Sequence, residues 1–498
     1  HRLQLIDRLP NNTPERKSRT SKQPLGTHSG RVLVNRPLSI HMLLRVAKAG
    51  SSAIRSSSLA RCLLTGQQKK WIRTETTHKG EIIKGGPLGT GIKEADPLVI
   101  VSAYTNVDTL AHQPRGKSAQ FGFYVYKMNT TTGGLTLASV CPGVENPAFS
   151  RYHPSEDVLY TATESILENG IVVTYKVHSD TGKLEEVHRQ DAGGASTCYL
   201  TVDRNEENML FVNYWDSTLG TFPLNPDGTP EDKVKLIETK FDASDAVAKR
   251  PKPAQAGEKK HDANDPETAA ERQTSAHAHS IVLDPYLGTV AYVPDLGQDC
   301  IHQYYFDQKT GALDHRGKIP ADTVKGTLGP RYIDFHKKLN VAYVINEMSC
   351  GVAVFRFDPS AVDEIKAGGN RHSLEQIQTI STVPEGFPSM YNTCGRICVD
   401  PTGRFVLVSN RGHDSITVFR ILHKEGGILT RVGWCHTRGT TPRHFAFDDS
   451  GRYLIAANQD SNSISVFQFN PSNGLLEHTG NDYVVPSPNF ICVKSPHT

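Results

Sequence analysis

The chain has 498 residues, 37% of them apolar and 41 of them glycine, enough for one large domain or two to three average ones, with the composition of a turn-rich β protein. The formal charge of +3 is unevenly spread: residues 1–74 hold 15 Lys and Arg against 2 Asp and Glu, so the other 424 residues carry about −10 and offer no charge footprint for nucleic acid. No stretch approaches the roughly 18 apolar residues of a membrane span, and nine cysteines without metal-like spacing argue for a reducing compartment and against zinc or a disulfide framework.

Between Arg16 and Thr74 there is no acidic residue. From Met42 the chain reads MLLRVAKAGSSAIRSSSLARCLLTG, rich in Arg, Ser and Ala, which looks like a mitochondrial transit peptide. The expectation is a basic, largely disordered segment over residues 1–96, with the import signal at 42–74 and a mitochondrial location. A cytoplasmic protein with a basic tail is the alternative. The glycine-rich stretch Gly85 to Gly91 has no helix after it to present amides to a phosphate, and reads as a linker.

Beyond it come short apolar runs separated by turns. The first are Leu98 to Tyr104, Gly122 to Met128 and Gly134 to Cys141. A full unit follows, opened by Asn146-Pro147-Ala148-Phe149, with later runs at Val158 to Thr163 and Ile171 to Val177. The unit recurs from Thr197, from His279, from Arg331, from Gly395 and from Arg443. Turns such as Asp400-Pro401-Thr402-Gly403-Arg404 separate the first and second runs of a unit. Four strands per repeat at a period of about 45–65 residues is the signature of a β-propeller. The tail Pro488 to Val493 is a first run with nothing after it, and the N-terminal runs are second, third and fourth runs with nothing before them. Together they make a seventh blade. The expected fold is all-β: a seven-bladed propeller over residues 97–498, its last blade closed by strands from both termini. Thr239 to Ala278 breaks the pattern as a polar insertion and reads as a mobile surface loop.

In the unit GPRYIDFHKKLNVAYVINEMSCGVAVF, Arg331 stands at the mouth of the first strand, and Asn346 and Glu347 stand at the end of the second. The turn between them returns Glu347 to the edge that holds Arg331. Asn346, Asn410 and Asn458 recur at equivalent positions and read as caps of the strand end.

The stretches HAHSIVLDP, LGPRYIDFH with VINE, VSNRGHDSITVF and TPRHFAFDDSGRYLIAANQDSNSISVF resemble the seven-bladed propeller lactonase family, over roughly residues 97–495. That family includes bacterial-type 6-phosphogluconolactonases and carboxy-muconate lactonizing enzymes. The resemblance implies a site at the central channel built from His277 and His279, Arg331, Glu347 and Arg411. One departure is visible: the family's G-P-C-H stretch is here Ser196-Thr197-Cys198-Tyr199.

In a propeller the inner strands start, and the second strands end, near one face of the channel, so His279, Arg331, Glu347, Arg411 and Arg443 should surround one mouth. Lactone hydrolysis needs a base for water and a donor for the carbonyl oxygen, and an anionic substrate needs arginine forks. Glu347 and His279 are the expected catalytic pair, one as base and the other orienting it. Arg331, Arg411, Arg443 and His277 are the expected substrate-binding set, although Arg331 and Glu347 would equally make a structural ion pair. His413, Asp414 and His444 read as turn staples. No metal and no cofactor is expected, nor a nucleic-acid or membrane partner, and the chain reads as a monomer acting on a small anionic lactone, 6-phosphogluconolactone first. A muconate-type cyclase and a non-catalytic scaffold are the alternatives.

Overall fold

The computed structural model describes residues 96–112, 114–238, 272–273, 275–322 and 327–494. The stretch 42–74, the linker at 85–91 and residues 239–271 of the insertion lie outside the described residues.

Seven four-stranded antiparallel sheets form the seven blades of a β-propeller. In blade order the inner strands are Pro147–Tyr152, Thr197–Val202, Val282–Leu283, Pro330–Phe335, Thr393–Val399, Pro442–Phe447 and Pro488–Lys494. Blade 7 joins this last strand to Leu98–Ala103, Phe123–Met128 and Leu135–Cys141. Its closing register pairs Val99 with Val493 and Val101 with Ile491. Two details differ from the expectation. The inner strand of blade 3 is only Val282–Leu283, not a run from His279. An unpredicted helix, Pro359–Lys366, follows the third strand of blade 4. Asp358 caps it by accepting from the Ser360 amide at 2.9 Å, and Pro359 supplies a preset helical first turn.

The second strands carry the architecture. Leu98–Ala103, Val158–Thr163, Asn208–Asn213, Val290–Asp295, Val341–Asn346, Phe405–Arg411 and Tyr453–Asn458 are buried at every residue. Both faces of each are covered by adjoining blades, so alternation with polar residues is lost and the runs are mostly apolar, with single small polar residues such as Ser102, Thr161 and Ser409. In blades 1 to 6 the turn before this strand is held by one side chain. Asp400 Oδ1 accepts from the amides of Arg404 and Phe405, both at 2.7 Å, while Gly403 takes φ +70°. In blade 4 the imidazole of His336 does the same for Lys338 and Leu339, at 2.9 and 2.8 Å.

Neighbouring blades are pinned through side chains. Asn213, Asn410 and Asn458 donate to the carbonyls of Ala192, Thr382 and Thr437, each near the end of the preceding blade's outer strand. Asn346 stands at the equivalent position and its amide is buried without such a bond. His444 Nδ1 accepts from the Ile491 amide at 3.2 Å, and its ring stacks on Phe490 at 3.8 Å, tying blade 6 to blade 7. Asp414 Oδ1 accepts from the Thr441 amide at 2.8 Å, tying blade 5 to blade 6.

Candidate active site

One backbone device places the site. In five blades the residue after the second strand donates its amide to the residue before the inner strand. Thus Glu164 donates to Asn146, Tyr214 to Ser196, Glu347 to Gly329, Gln459 to Thr441 and Tyr104 to Ser487. Asn146, Ser196, Thr441 and Ser487 all take positive φ there, between +38° and +57°. Such strain clusters where surrounding structure holds a functional edge. The inner strand then skips one residue in its register, at Arg331 in blade 4 and at Arg443 in blade 6. A bulge re-aims the skipped side chain, and these two point toward the acidic groups of the mouth.

Glu347 is the centre, with only 2% of its side chain exposed. Its Oε2 accepts from Arg331 Nε at 2.8 Å, and its Oε1 meets Arg272 Nη2 at 2.8 Å and Arg411 Nη2 at 3.0 Å. His279 Nε2 lies 3.8 Å from Oε2. Burial alone would raise the Glu347 carboxyl, but Arg272, Arg411 and Arg331 outweigh it and hold the group well below the usual carboxylate range. Burial, then Arg331, drives the His279 imidazole well below its ordinary value, so it is neutral. Its Nδ1 lies 3.7 Å from Cys198 Sγ, the cysteine of the altered Ser196–Tyr199 stretch.

A second carboxylate stands beside this group. Glu164 accepts from the Tyr104 hydroxyl at 2.7 Å and meets Arg443 Nη2 at 3.4 Å and His112 Nδ1 at 3.5 Å. Burial opposes its ionisation, but Arg443 and the bonds from His112 and Tyr104 keep it charged. Four guanidiniums thus face two carboxylates, an excess of two positive charges with the histidines neutral. Burial, with Arg331, Arg443 and Arg272 pushing the same way, pulls Arg411 down to about 10. It stays charged at neutral pH, and its Nε is buried without a hydrogen-bond partner among the described residues. An uncompensated buried donor of this kind is costly unless a ligand takes it up.

The profile of the family described as lactonase, seven-bladed β-propeller, matches residues 99–494. The chain belongs to the seven-bladed β-propeller lactonase family. It is accordingly a lactonase, a hydrolase of cyclic esters. The 6-phosphogluconolactonase of Bacillus subtilis is 28% identical over 382 residues, which cover 76% of this chain and 96% of that protein. The 6-phosphogluconolactonase of Formosa agariphila is 30% identical over 334 residues, 66% of this chain and 82% of that one. Among solved structures, the periplasmic gluconolactonase of Pseudomonas aeruginosa superposes with a TM-score of 0.64 at 24% identity, over 80% of this chain and 99% of that one, a likeness of fold.

Within this lactonase scaffold the residues expected from the sequence divide. Glu347, His279, Arg331 and Arg411 are gathered at one point, and Arg443 reaches the neighbouring Glu164. His277 is buried and touches neither carboxylate. Its ring stacks on Tyr214 at 4.7 Å, its Nδ1 meets the Tyr214 carbonyl at 3.3 Å, and burial lowers it to about 4. The geometry makes it a brace beneath Tyr214.

Arg272, Glu164, Tyr104 and His112 were not foreseen. Tyr104 and Glu164 occupy the same blade position as Glu347, so the repeat itself was the signal for them. Arg272 is a correction of another kind. It falls in the stretch read as a mobile polar loop, yet it is a site residue, with Nη2 on Glu347 and Nε donating to the Tyr214 hydroxyl at 3.1 Å. Arg272→Gln leaves Glu347 with two arginine partners, so the melting temperature should hold within a few degrees. KM for an anionic lactone should rise about tenfold, the worth of one charge-assisted hydrogen bond. Steady-state kinetics beside a thermal melt would check both; an unchanged KM refutes a substrate role for Arg272.

Proposed function

We propose that the enzyme hydrolyses an anionic sugar lactone, with 6-phosphogluconolactone the leading substrate and 6-phosphogluconate the product. The observation that carries this reading is the excess of two positive charges at the mouth, with the buried Arg411 Nε lacking a partner. A phosphate monoester near neutral pH supplies about two negative charges, and guanidinium forks pair with its oxygens. The names of the Bacillus and Formosa relatives point to the same substrate.

In this reading His279 is the base. Glu347 is too strongly held by its three arginines to take a proton readily, whereas His279 is already neutral. Its imidazole takes a proton from the attacking water and returns it to the ring oxygen as the tetrahedral intermediate collapses and the acyl C–O bond breaks. The Glu347 carboxylate, 3.8 Å from Nε2, stabilises the imidazolium that forms. Arg411 donates to the carbonyl oxygen as charge builds on it. Arg331 spends Nε on Glu347 and Nη1 on the Gly395 carbonyl at 2.8 Å, so it braces the carboxylate as well as adding charge.

The test is acid release from freshly made 6-phosphogluconolactone and from unphosphorylated gluconolactone, each above its spontaneous rate. The phosphorylated lactone should be favoured in kcat/KM by about tenfold or more, the worth of at least one charge-assisted bond. Equal values for the two would sink the charge argument, and no acceleration of either would sink the sugar-lactone reading. The pH profile carries a separate check. A base must be deprotonated to act, and the folded pKa of His279 lies below 6.5, so the acid limb of kcat/KM should appear only below pH 6.5, with a flat region from neutrality up to the alkaline range where Arg411, pulled down to about 10, begins to lose its proton. A limb rising above pH 7 would assign the base elsewhere.

A further inference from the structure

A second cavity, of about 360 Å³, is lined by Arg151, Arg396, Tyr199, Tyr332, Asp334 and Ile397 among others. It lies toward the far ends of the inner strands, whereas the active site lies at their starts. Asp334 is three residues on from Arg331, about 10 Å along the strand. Tyr332 borders both places. Arg331 lies over its ring at 4.2 Å and His279 meets it at 5.6 Å, while Arg396 lies over it at 6.0 Å.

The charges in this cavity are unbalanced. Arg396 makes no side-chain hydrogen bond or ion pair among the described residues, and its Nε is buried without a partner. Arg151 donates Nε to the Leu200 carbonyl at 2.5 Å and Nη2 toward the Tyr199 hydroxyl at 3.5 Å, with no acidic partner among the described residues. The acids present are engaged with backbone. Asp334 accepts from the Val399 amide at 2.8 Å, and burial pushes its carboxyl up. Asp284 is taken by the amides of Tyr286, Leu287, Thr289 and Val290. Arg204 donates to the carbonyls of Pro285 and Tyr286. Asp334 attracts Arg396 across the cavity without a hydrogen bond between them, so three arginines, Arg151, Arg204 and Arg396, face two aspartates, and the half-buried forks of Arg396 and Arg151 keep donors open to a further oxyanion.

We propose that the cavity is a second anion site, which binds a phosphate group between Arg396 and Arg151 with Tyr199 and Tyr332 as its walls. The volume is at the small end for ligand pockets, and two planar forks suit a tetrahedral oxyanion. The site is separate from the catalytic residues and does not depend on which lactone they open.

Calorimetric titration of the full chain with inorganic phosphate tests this. Arg411→Gln impairs the catalytic mouth and should leave one phosphate bound. Arg396→Gln should weaken that binding at least tenfold. Arg151→Lys keeps the charge but loses the fork; it should weaken binding several-fold, and it serves if Arg396→Gln does not fold. A parallel titration with ribose 5-phosphate separates the sources: tighter binding than phosphate points to an ester ligand, equal or weaker binding to free phosphate. Binding that vanishes in Arg411→Gln, or that both Arg396→Gln and Arg151→Lys leave unchanged, overturns the proposal.

Discussion

Glu347→Gln should cost the enzyme both rate and stability, and by more than any single arginine change at the same mouth. Glu347 is the common partner of Arg272, Arg331 and Arg411. Removing its charge leaves three buried guanidiniums facing one another. Breaking a buried ion pair from one side costs about 3–5 kcal/mol, so the melting temperature should drop by roughly ten degrees on the scale of a few degrees per kcal/mol. On the rate, a lost partner for the imidazolium should lower kcat/KM by about 10²-fold, within the range for acid–base residues. Glu347→Asp separates the two effects. It restores the charge and most of the stability, but it shortens the side chain by one methylene and moves the carboxylate away from His279. A Glu347→Gln enzyme with wild-type melting and wild-type turnover would remove Glu347 from the centre of the site.

Ending the chain after Ser487 should abolish soluble expression. Pro488–Lys494 is the inner strand of blade 7 and pairs along Leu98–Ala103. Its loss opens that buried strand as an unpaired edge, the feature that drives edge-to-edge aggregation. It also removes Phe490 and Ile491, which are 6% and 2% exposed, each worth about 1.5–3 kcal/mol of burial. The Asn489 bond to the Pro147 carbonyl and the Phe490 stack on His444 go with them. The sum rivals the whole stability of a typical domain, about 5–15 kcal/mol. Soluble yield and a thermal melt of the shortened chain are the readout, and a cooperative melt near that of the intact chain would show that the ring does not depend on this closure.

The fold was legible because its signals are local. The turn built on Asp400 and Gly403 works within six residues, and so does the one built on His336. The all-buried second strands announced themselves as mostly apolar runs without the alternation of a half-exposed strand. Where a local signal was weak the reading slipped. The inner strand of blade 3 pairs over only two residues, and His279 stands before it rather than within it. The helix Pro359–Lys366 is eight residues long, too short for an apolar period to stand out. At the site, Arg331 and Glu347 were legible as a pair because sixteen residues and one turn separate them. Glu164 shares both the blade position and the chemistry of Glu347, and Tyr104 shares the position alone; the repeat marked that position, but not that Tyr104, Glu164 and Arg443 would meet there.

The sequence alone determined how many blades there are and how the ring closes. A first run stands unaccompanied at one end of the chain and three later runs stand unaccompanied at the other, and a sheet with open edges must pair them. It also pointed to Arg331, Glu347, Arg411, Arg443 and His279 as residues of the channel mouth, though not to Arg272, Glu164, Tyr104 or His112. Only the tertiary structure decided how those charges are shared. Arg272 reaches Glu347 across 75 residues, and Arg443 reaches Glu164 across 279. Ion pairing depends on separation through space and on exclusion of water. Neither is a property of a short stretch of chain, so the balance that keeps Glu347 ionised, His279 neutral and Arg411 Nε unpartnered appears only once seven blades have closed around it.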